Sequence, residues 1–486
     1  MTIHRLSGFD ASLLHLESPS QPMTGCALWE LDTSTMPGGY SFANFRATLS
    51  QRLVAVPEFR MKMADSALNL DTPVWVEDPD FDLDRHLHRV ELPAPGSSDE
   101  LSALVGRLIA EQIDRSRPLW GMWVIEGLSG NDSRISGRVA VMHRMHHVLA
   151  DGTTANDILS RLCSTEADPA PPEPIEGVGT LSQRQIVVDG LVRFARRPWY
   201  LLKVLLTTIA GAITTIRRNA RGQTMTGLFN APRTMFNGTV TSRRTVAYVQ
   251  LDLDDVKAVK NKFGVTFNDV MLALVSSAVR RFLLDRSALP QATLAAAMPV
   301  SIFQSNRASR NQLSAMISSL CTDVADPVAR LRAIAAASSV AKDHVSAVGP
   351  SLGLDWTQFA PRLLEVGWRI YRWSGLSDRR PIYNLTLSNV PGPQVQCYLM
   401  GAKVKASYKF GPVFHGAGLN VTVMSLNGKV DVGLVSCTDL LPDLWELADG
   451  LPIALKELLD MAGPIEGRGD RRAAQKPDTS SSDWAS

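Results

Sequence analysis

His146 and His147 open the run His146-His147-Val148-Leu149-Ala150-Asp151-Gly152, an HHxxxDG pattern in which two imidazoles are followed at short spacing by a carboxylate and a glycine. A neutral imidazole accepts a proton near pH 7 without extreme tuning, and a positioned base contributes about 10²–10⁴-fold in rate. The chemistry this suits is removal of a proton from a hydroxyl. His147 is the candidate base. His146 precedes it on a strand-like segment and should point the other way. Asp151 could orient His147, but a carboxylate against the ring would favour its charged form. Paired instead to an arginine, Asp151 would fix the turn and leave the histidine neutral. Gly152 would let the backbone turn tightly. No Gly-x-Ser-x-Gly elbow is present, so the base is expected to activate the acceptor substrate rather than a serine of the protein. The heptapeptide alone leaves a structural role for these histidines open.

The surrounding pattern places the pair on a strand-to-helix turn. Val139-Ala140-Val141-Met142 reads as a buried strand, and Thr153-Thr154-Ala155-Asn156-Asp157-Ile158-Leu159 opens with capping residues and continues as a helix. Such a turn lifts side chains out of a sheet.

The heptapeptide resembles the active-site motif of CoA-dependent acyltransferases of the chloramphenicol acetyltransferase type, which include peptide condensation domains. Further segments narrow the resemblance to the bacterial, mycobacterial-type wax ester synthase/diacylglycerol acyltransferases. Pro118-Leu119-Trp120, following Asp114-Arg115-Ser116-Arg117, is similar to their PLW element, and Asn268-Asp269 within Phe267–Leu272 to their ND element. Met298-Pro299-Val300-Ser301, Ser388-Asn389-Val390-Pro391-Gly392-Pro393 and, more loosely, Leu6-Ser7-Gly8-Phe9-Asp10 fit the same family. The matches run in order from the first ten residues to about residue 450.

This resemblance implies an α/β fold with mixed sheets, built as two chloramphenicol acetyltransferase-like domains with the active-site tunnel at their interface. It implies His147 as base, a mainly architectural Asp151, acyl-CoA as substrate and no cofactor. The partners it implies are diacylglycerol or a long-chain alcohol and a membrane or lipid-droplet surface. Two departures stand in the C-terminal half: Phe303 where the family commonly has arginine, and Arg310-Asn311 where it commonly has Gly-Asn. Either could alter substrate choice without touching the base.

At 486 residues the chain exceeds a usual single core. The expected division is 1–166, carrying the histidines; 167–240, a linker; 241–465, a second acyltransferase-like domain; and 466–486, a charged, Ser-rich tail expected to be disordered. A net charge of +2 gives no footprint for nucleic acid. Cys26, Cys163, Cys321, Cys397 and Cys437 lack CxxC spacing, so neither a disulfide framework nor a zinc site is expected. His86 and His88 stand among Asp82, Asp84 and Arg85, which reads as an exposed polar turn rather than a metal site. The opening residues Met1–Ser7 lack the apolar stretch of a secretory signal, so a cytoplasmic protein is expected.

The proline-rich run Asp168–Pro174 marks a boundary. Downstream, Pro198 to Ile216 is apolar, with Arg193, Arg196 and Arg197 before it and Arg217, Arg218 and Arg221 after it. A spanning helix needs about 20 predominantly apolar residues, and Lys203, four threonines and Pro198 weaken that reading. An interfacial helix and a buried one both remain; the resemblance favours the interfacial, peripheral reading. Tyr248–Leu253 alternates as a strand, and Asn268 either donates a hydrogen bond near the reacting thioester or caps the helix beyond it, with capping expected. Leu419–Leu434 reads as a hairpin turning on Asn427-Gly428.

The expected function is therefore an acyl-CoA-dependent O-acyltransferase making triacylglycerol from diacylglycerol, with wax ester synthesis from fatty alcohol alongside. The alternatives are a carrier-protein-dependent acyltransferase of a complex lipid and a non-catalytic lipid-binding paralogue.

Overall fold

The computed structural model describes residues 3–65, 71–149, 152–175, 177, 182–301, 313–349 and 352–463. Asp151, Phe303, Arg310, Asn311 and the tail 466–486 lie outside the described residues.

Two mixed sheets dominate the described residues. In one, the strands run in the order Leu87–Glu91, Trp120–Glu126, Val139–His146, Thr24–Asp32, Ala402–Phe410, Tyr398–Leu399 and Cys163–Ser164. In the other the order is Leu313–Ser319, Ala295–Ser301, Leu385–Pro391, Leu419–Leu426, Lys429–Cys437 and Arg244–Asp252. The strand Ala402–Phe410 comes from the C-terminal half yet pairs with Thr24–Asp32 in the first sheet, with Ala27 opposite Lys409. No cut at residue 240 therefore separates the sheets. A core of Leu28, Val105, Tyr248, Tyr408 and Phe410 knits the halves together.

Local chemistry sets these elements. Val139–His146 is buried at every position, as a near-continuous apolar run requires of a central strand. Asn427 and Gly428 take φ of 46° and 75°, the left-handed pair that closes a two-residue hairpin between Leu419–Leu426 and Lys429–Cys437. The helix Phe267–Asp285 is capped by Thr266, whose hydroxyl accepts from the Asp269 N–H while the Asp269 carboxylate accepts from the Thr266 N–H. Asn268 is thus not the cap. A helix at Leu253–Phe263 intervenes between the Tyr248 strand and this one.

The His86 region also differs from expectation. His86 is buried, its Nδ1 2.9 Å from the Trp120 carbonyl oxygen and its ring stacked on Trp120 at 4.8 Å, while His88 lies in the strand Leu87–Glu91. The neighbouring aspartates disguise a segment that inserts its histidine into an aromatic stack.

The apolar segment belongs to one helix, Gln183–Asn219, that begins well before Pro198 and carries that proline inside it. Ser182 and Gln185 form its capping box. By length and composition it could cross a membrane, with 11 % of its most apolar window buried. One side is tied to the body: Val204 is buried, Trp356 Nε1 donates to Thr208 Oγ1 at 2.9 Å, and Gly211 faces Val348 and Leu352. The other side is apolar and open.

Candidate active site

Side chains alternate along a strand, so His143, Met145 and His147 fall on one face and His146 on the other. The first three line a cavity of ≈ 620 Å³. Both sheets wall it: Gly25, Ala27 and Lys409 come from the first, Ala297, Ser388, Asn389 and Thr422 from the second. Helices supply the remaining wall through Phe9, Leu13, Leu354, Thr357 and Leu364. A pocket with this apolar lining and a few convergent polar groups is the usual form of a small-molecule site.

The turn that presents His147 is fixed by several backbone bonds. The His147 N–H donates to the Met23 carbonyl at 2.8 Å, the Leu149 N–H to the His146 carbonyl at 2.9 Å, and the His146 N–H to the Leu119 carbonyl at 2.9 Å. Beneath it, His146 is fully buried, with Nε2 3.4 Å from Glu17 Oε2; its Nδ1 accepts from the Val148 N–H at 3.2 Å. Glu17 also receives Arg115 at 2.5 Å and the Met23 N–H at 3.3 Å. Burial pushes its carboxyl upward, but His146 and Arg115 outweigh that and hold it at about 2. Glu17 therefore braces both chain segments that carry the turn.

The remaining motif residues are architectural. Pro118 and Leu119 are buried at the start of Trp120–Glu126, and Leu119 holds the end of the histidine strand. Trp120 donates from Nε1 to the Phe59 carbonyl at 2.7 Å and stacks on Phe59, which in turn stacks on His143. The PLW element thus supports the cavity wall from behind. Asn268 accepts from Asn389 Nδ2 at 2.7 Å, so its link to the cavity runs through Asn389. Gly152 opens the helix Gly152–Ser160, and from that helix Asn156 donates to the Pro391 carbonyl at 3.3 Å, linking the histidine segment to the second sheet.

Gly8 allows the first helix, Gly8–Leu16, to meet Leu352–Phe359 closely, since a Cβ there would sit 2.2 Å from the Gln358 Cα. Phe9 and Leu354 reach the cavity from these two helices. The loose N-terminal motif is therefore a packing element of the site.

Glu17, His143 and Lys409 carry no motif signal. The alternation from His147 back to His143 was available in the sequence; the arrival of Lys409 from the far half was not. Burial drives His143 down to about 3, with the Lys409 ammonium adding to the shift, and burial brings Lys409 down to about 8. All five cysteines are free thiols. Among the described residues no group of three or more His, Cys, Asp or Glu side chains could hold a metal ion.

Two mixed sheets enclosing a cavity with a histidine turn on its wall define the condensation-domain class of fold. The first condensation domain of the calcium-dependent antibiotic synthetase superposes with a TM-score of 0.57 at 14% identity, over 96% of this chain and 98% of that one. A wax ester synthase/diacylglycerol acyltransferase from Marinobacter aquaeolei VT8 superposes with a TM-score of 0.67 at 28% identity, over 95% of this chain and 100% of that one. The family model described as wax ester synthase/diacylglycerol acyltransferase catalytic domain matches residues 6–271, and its C-terminal domain matches 310–459. A Mycobacterium tuberculosis protein named as a diacylglycerol O-acyltransferase is 49% identical over 460 residues, 94% of this chain and 90% of its own length. The chain belongs to the wax ester synthase/diacylglycerol acyltransferase family.

Proposed function

We propose that the chain transfers an acyl group from acyl-CoA to the hydroxyl of diacylglycerol, giving triacylglycerol and CoA, with wax ester formation from a long-chain alcohol as a second activity. The observation that carries this reading is the position of His147 on the wall of a largely apolar cavity enclosed by both sheets. Support comes from the family and from the relative named as a diacylglycerol O-acyltransferase. His147 takes the proton from the acceptor hydroxyl as its oxygen attacks the thioester carbonyl. Collapse of the tetrahedral intermediate breaks the C–S bond, and the departing thiolate recovers the proton as the CoA thiol. The apolar lining keeps water from competing with the acceptor. Neither a metal nor a redox cofactor enters this sequence of bonds.

The acceptor is membrane-soluble, and the surface offers a way to meet it. Trp199, Leu206, Ile209 and Ile216 stand 57–77% exposed on the outward side of Gln183–Asn219, with Arg196, Arg217 and Arg221 exposed beside them. On the helix Pro361–Trp373, Leu363, Val366, Ile370 and Trp373 form a second exposed stripe, and Leu364 of the same helix lines the cavity. Apolar faces rimmed by arginine suit an anionic lipid surface. On this reading the protein works from the cytoplasm, peripherally on the inner face of the plasma membrane or on lipid droplets.

The test is incubation of the purified protein with labelled acyl-CoA and a panel of acceptors. Triacylglycerol from diacylglycerol and free CoA thiol from acyl-CoA are expected in equal amounts. Transfer only from an acyl carrier protein, or lipid binding with no transfer, would replace this reading with one of its rivals.

A further inference from the structure

Across the first sheet, His143, Ala27 and Lys409 stand in one register row, since Ala27 is opposite both His143 and Lys409 on its two neighbouring strands. Residues directly opposite one another share a face, so all three face the cavity, which each of them lines. The row is four residues back from His147, roughly 13 Å along the strand. It lies too far away to take part in the acyl transfer itself.

Among the described residues, His143 Nε2 and Lys409 Nζ make no hydrogen bond. His143 is 1% exposed, yet its Nε2 has no hydrogen bond; its ring is held by stacking on Phe59 at 5.2 Å. The Lys409 ammonium makes no hydrogen bond or ion pair among the described residues and rests over the Trp29 ring, 5.3 Å from its centroid. Asp431, the carboxylate that influences it, is engaged elsewhere by Gln250 Nε2 at 2.8 Å and the Ser407 N–H at 2.7 Å. Lys409 is half-buried, its ammonium set against an aromatic face at the edge of a largely apolar cavity with no paired anion among the described residues, and a bound anion would offset that desolvation. Space between the row and His147 is open, because a Cβ on Gly25, two residues from Ala27 and opposite Met145, would meet nothing within 4 Å.

We propose that Lys409, with His143 and Trp29 beside it, is a subsite for the carboxylate of a long-chain substrate that carries an acid group remote from its reacting carbon. This deepens the acyltransferase reading and rests on it for the identity of the reacting end. The chain would run along the histidine strand from His147, with its acid end meeting the ammonium and the His143 ring flanking it. Either substrate could bring such a group: an acyl donor with a terminal carboxyl, or a hydroxy acid as acceptor.

The experiment compares the full-length protein with Lys409→Met and Lys409→Arg. In the donor arm, CoA monothioesters of α,ω-dicarboxylic acids of increasing length are set against methyl-ended acyl-CoAs of matched length, with a neutral acceptor. In the acceptor arm, ω-hydroxy fatty acids are set against matched alcohols with an ordinary acyl-CoA. In one arm, the kcat/KM ratio of acid-ended to neutral substrate should fall about tenfold or more in Lys409→Met and be retained in Lys409→Arg. That is the order expected when a hydrogen bond to a charged group is lost. The arm that responds identifies the source. Equal ratios in all three proteins, in both arms, overturn the subsite.

A calorimetric titration separates this from failure of the acyltransferase reading. A free long-chain fatty acid should bind the unmodified protein about tenfold more tightly than the matched alcohol, and Lys409→Met should remove the difference. If that holds while no transfer occurs in either arm, the subsite stands and the proposed reaction falls. If Lys409→Met does not fold, the unmodified protein decides alone, and equal affinity for acid and alcohol overturns the proposal.

Discussion

The His146 imidazole and the Glu17 carboxylate meet at 3.4 Å in a fully buried site directly beneath His147. Consecutive histidines therefore have different work: one locks the turn to the N-terminal segment, the other opens on the cavity. Glu17→Ala should destabilise the protein by about 3 kcal/mol, the cost of breaking a buried pair, with a smaller loss for Glu17→Gln. Glu17 is held at about 2 against its ordinary 4.5, so its contribution is present above pH 4.5 and is lost as pH falls towards 2. Urea midpoints measured across that range should show a shallower acid slope in the Gln variant. An unchanged slope would mean that the pair does not brace the turn.

Glu30 predicts the opposite slope. Burial raises its carboxyl to about 7 in spite of hydrogen bonds from Ser136, and Asp431 is likewise raised, to about 6. A folded-state value above the ordinary one favours the protonated form. Glu30's contribution is thus full below about pH 4.5 and is lost as pH rises through about 7. Glu30→Gln should be more stable than the unmodified protein above pH 7, by up to about 3 kcal/mol. The gap in melting temperature should close at low pH. A constant gap from pH 5 to 8 would contradict the assignment.

Gly8→Ala should cost about 1–3 kcal/mol, since its Cβ would meet the backbone of Leu352–Phe359, which cannot yield as a side-chain tip can. Phe9 and Leu354 line the cavity, so activity should fall along with stability. Thermal melts and turnover of the same preparation test this. A variant with unchanged melting temperature would show that the two helices do not pack as described.

On the long helix, replacing Trp199, Leu206 and Ile209 with serine should release the protein from anionic vesicles while leaving its melting temperature unchanged. Val204→Ser, on the inward side and 1% exposed, should destabilise the fold. Binding should also weaken with salt, because attraction to anionic lipid is screened over a Debye length of about 8–10 Å. Vesicle co-sedimentation that survives the serine changes would move the membrane contact elsewhere.

What the sequence made legible was local. Val139–Met142, the turn after it and the Asn427-Gly428 hairpin are specified by neighbours within a few residues, and periodicity reads them. Asn268 misled because asparagine caps well, but Thr266 with Asp269 three residues on satisfies the helix start more fully. His86 misled because its acidic neighbours face solvent while its ring turns inward. Glu17 and Lys409 were beyond reach for another reason. Their roles arise from the N-terminal segment passing under the turn and from a C-terminal strand entering the first sheet, contacts that leave no mark at fixed spacing. Leu201 shows the limit of spacing on a helix: it shares a stripe with Leu205 and Ile209 by count, but lies half-buried against the body while they are exposed.

Removal of the acceptor's proton by His147 is decided by turnover of His147→Ala with saturating acyl-CoA and diacylglycerol. With His147 as base, kcat should fall about 10²–10⁴-fold, with acyl-CoA still bound and the melting temperature within a few degrees of the unmodified protein. Turnover within a few-fold of the unmodified protein, in a folded variant, would contradict that role.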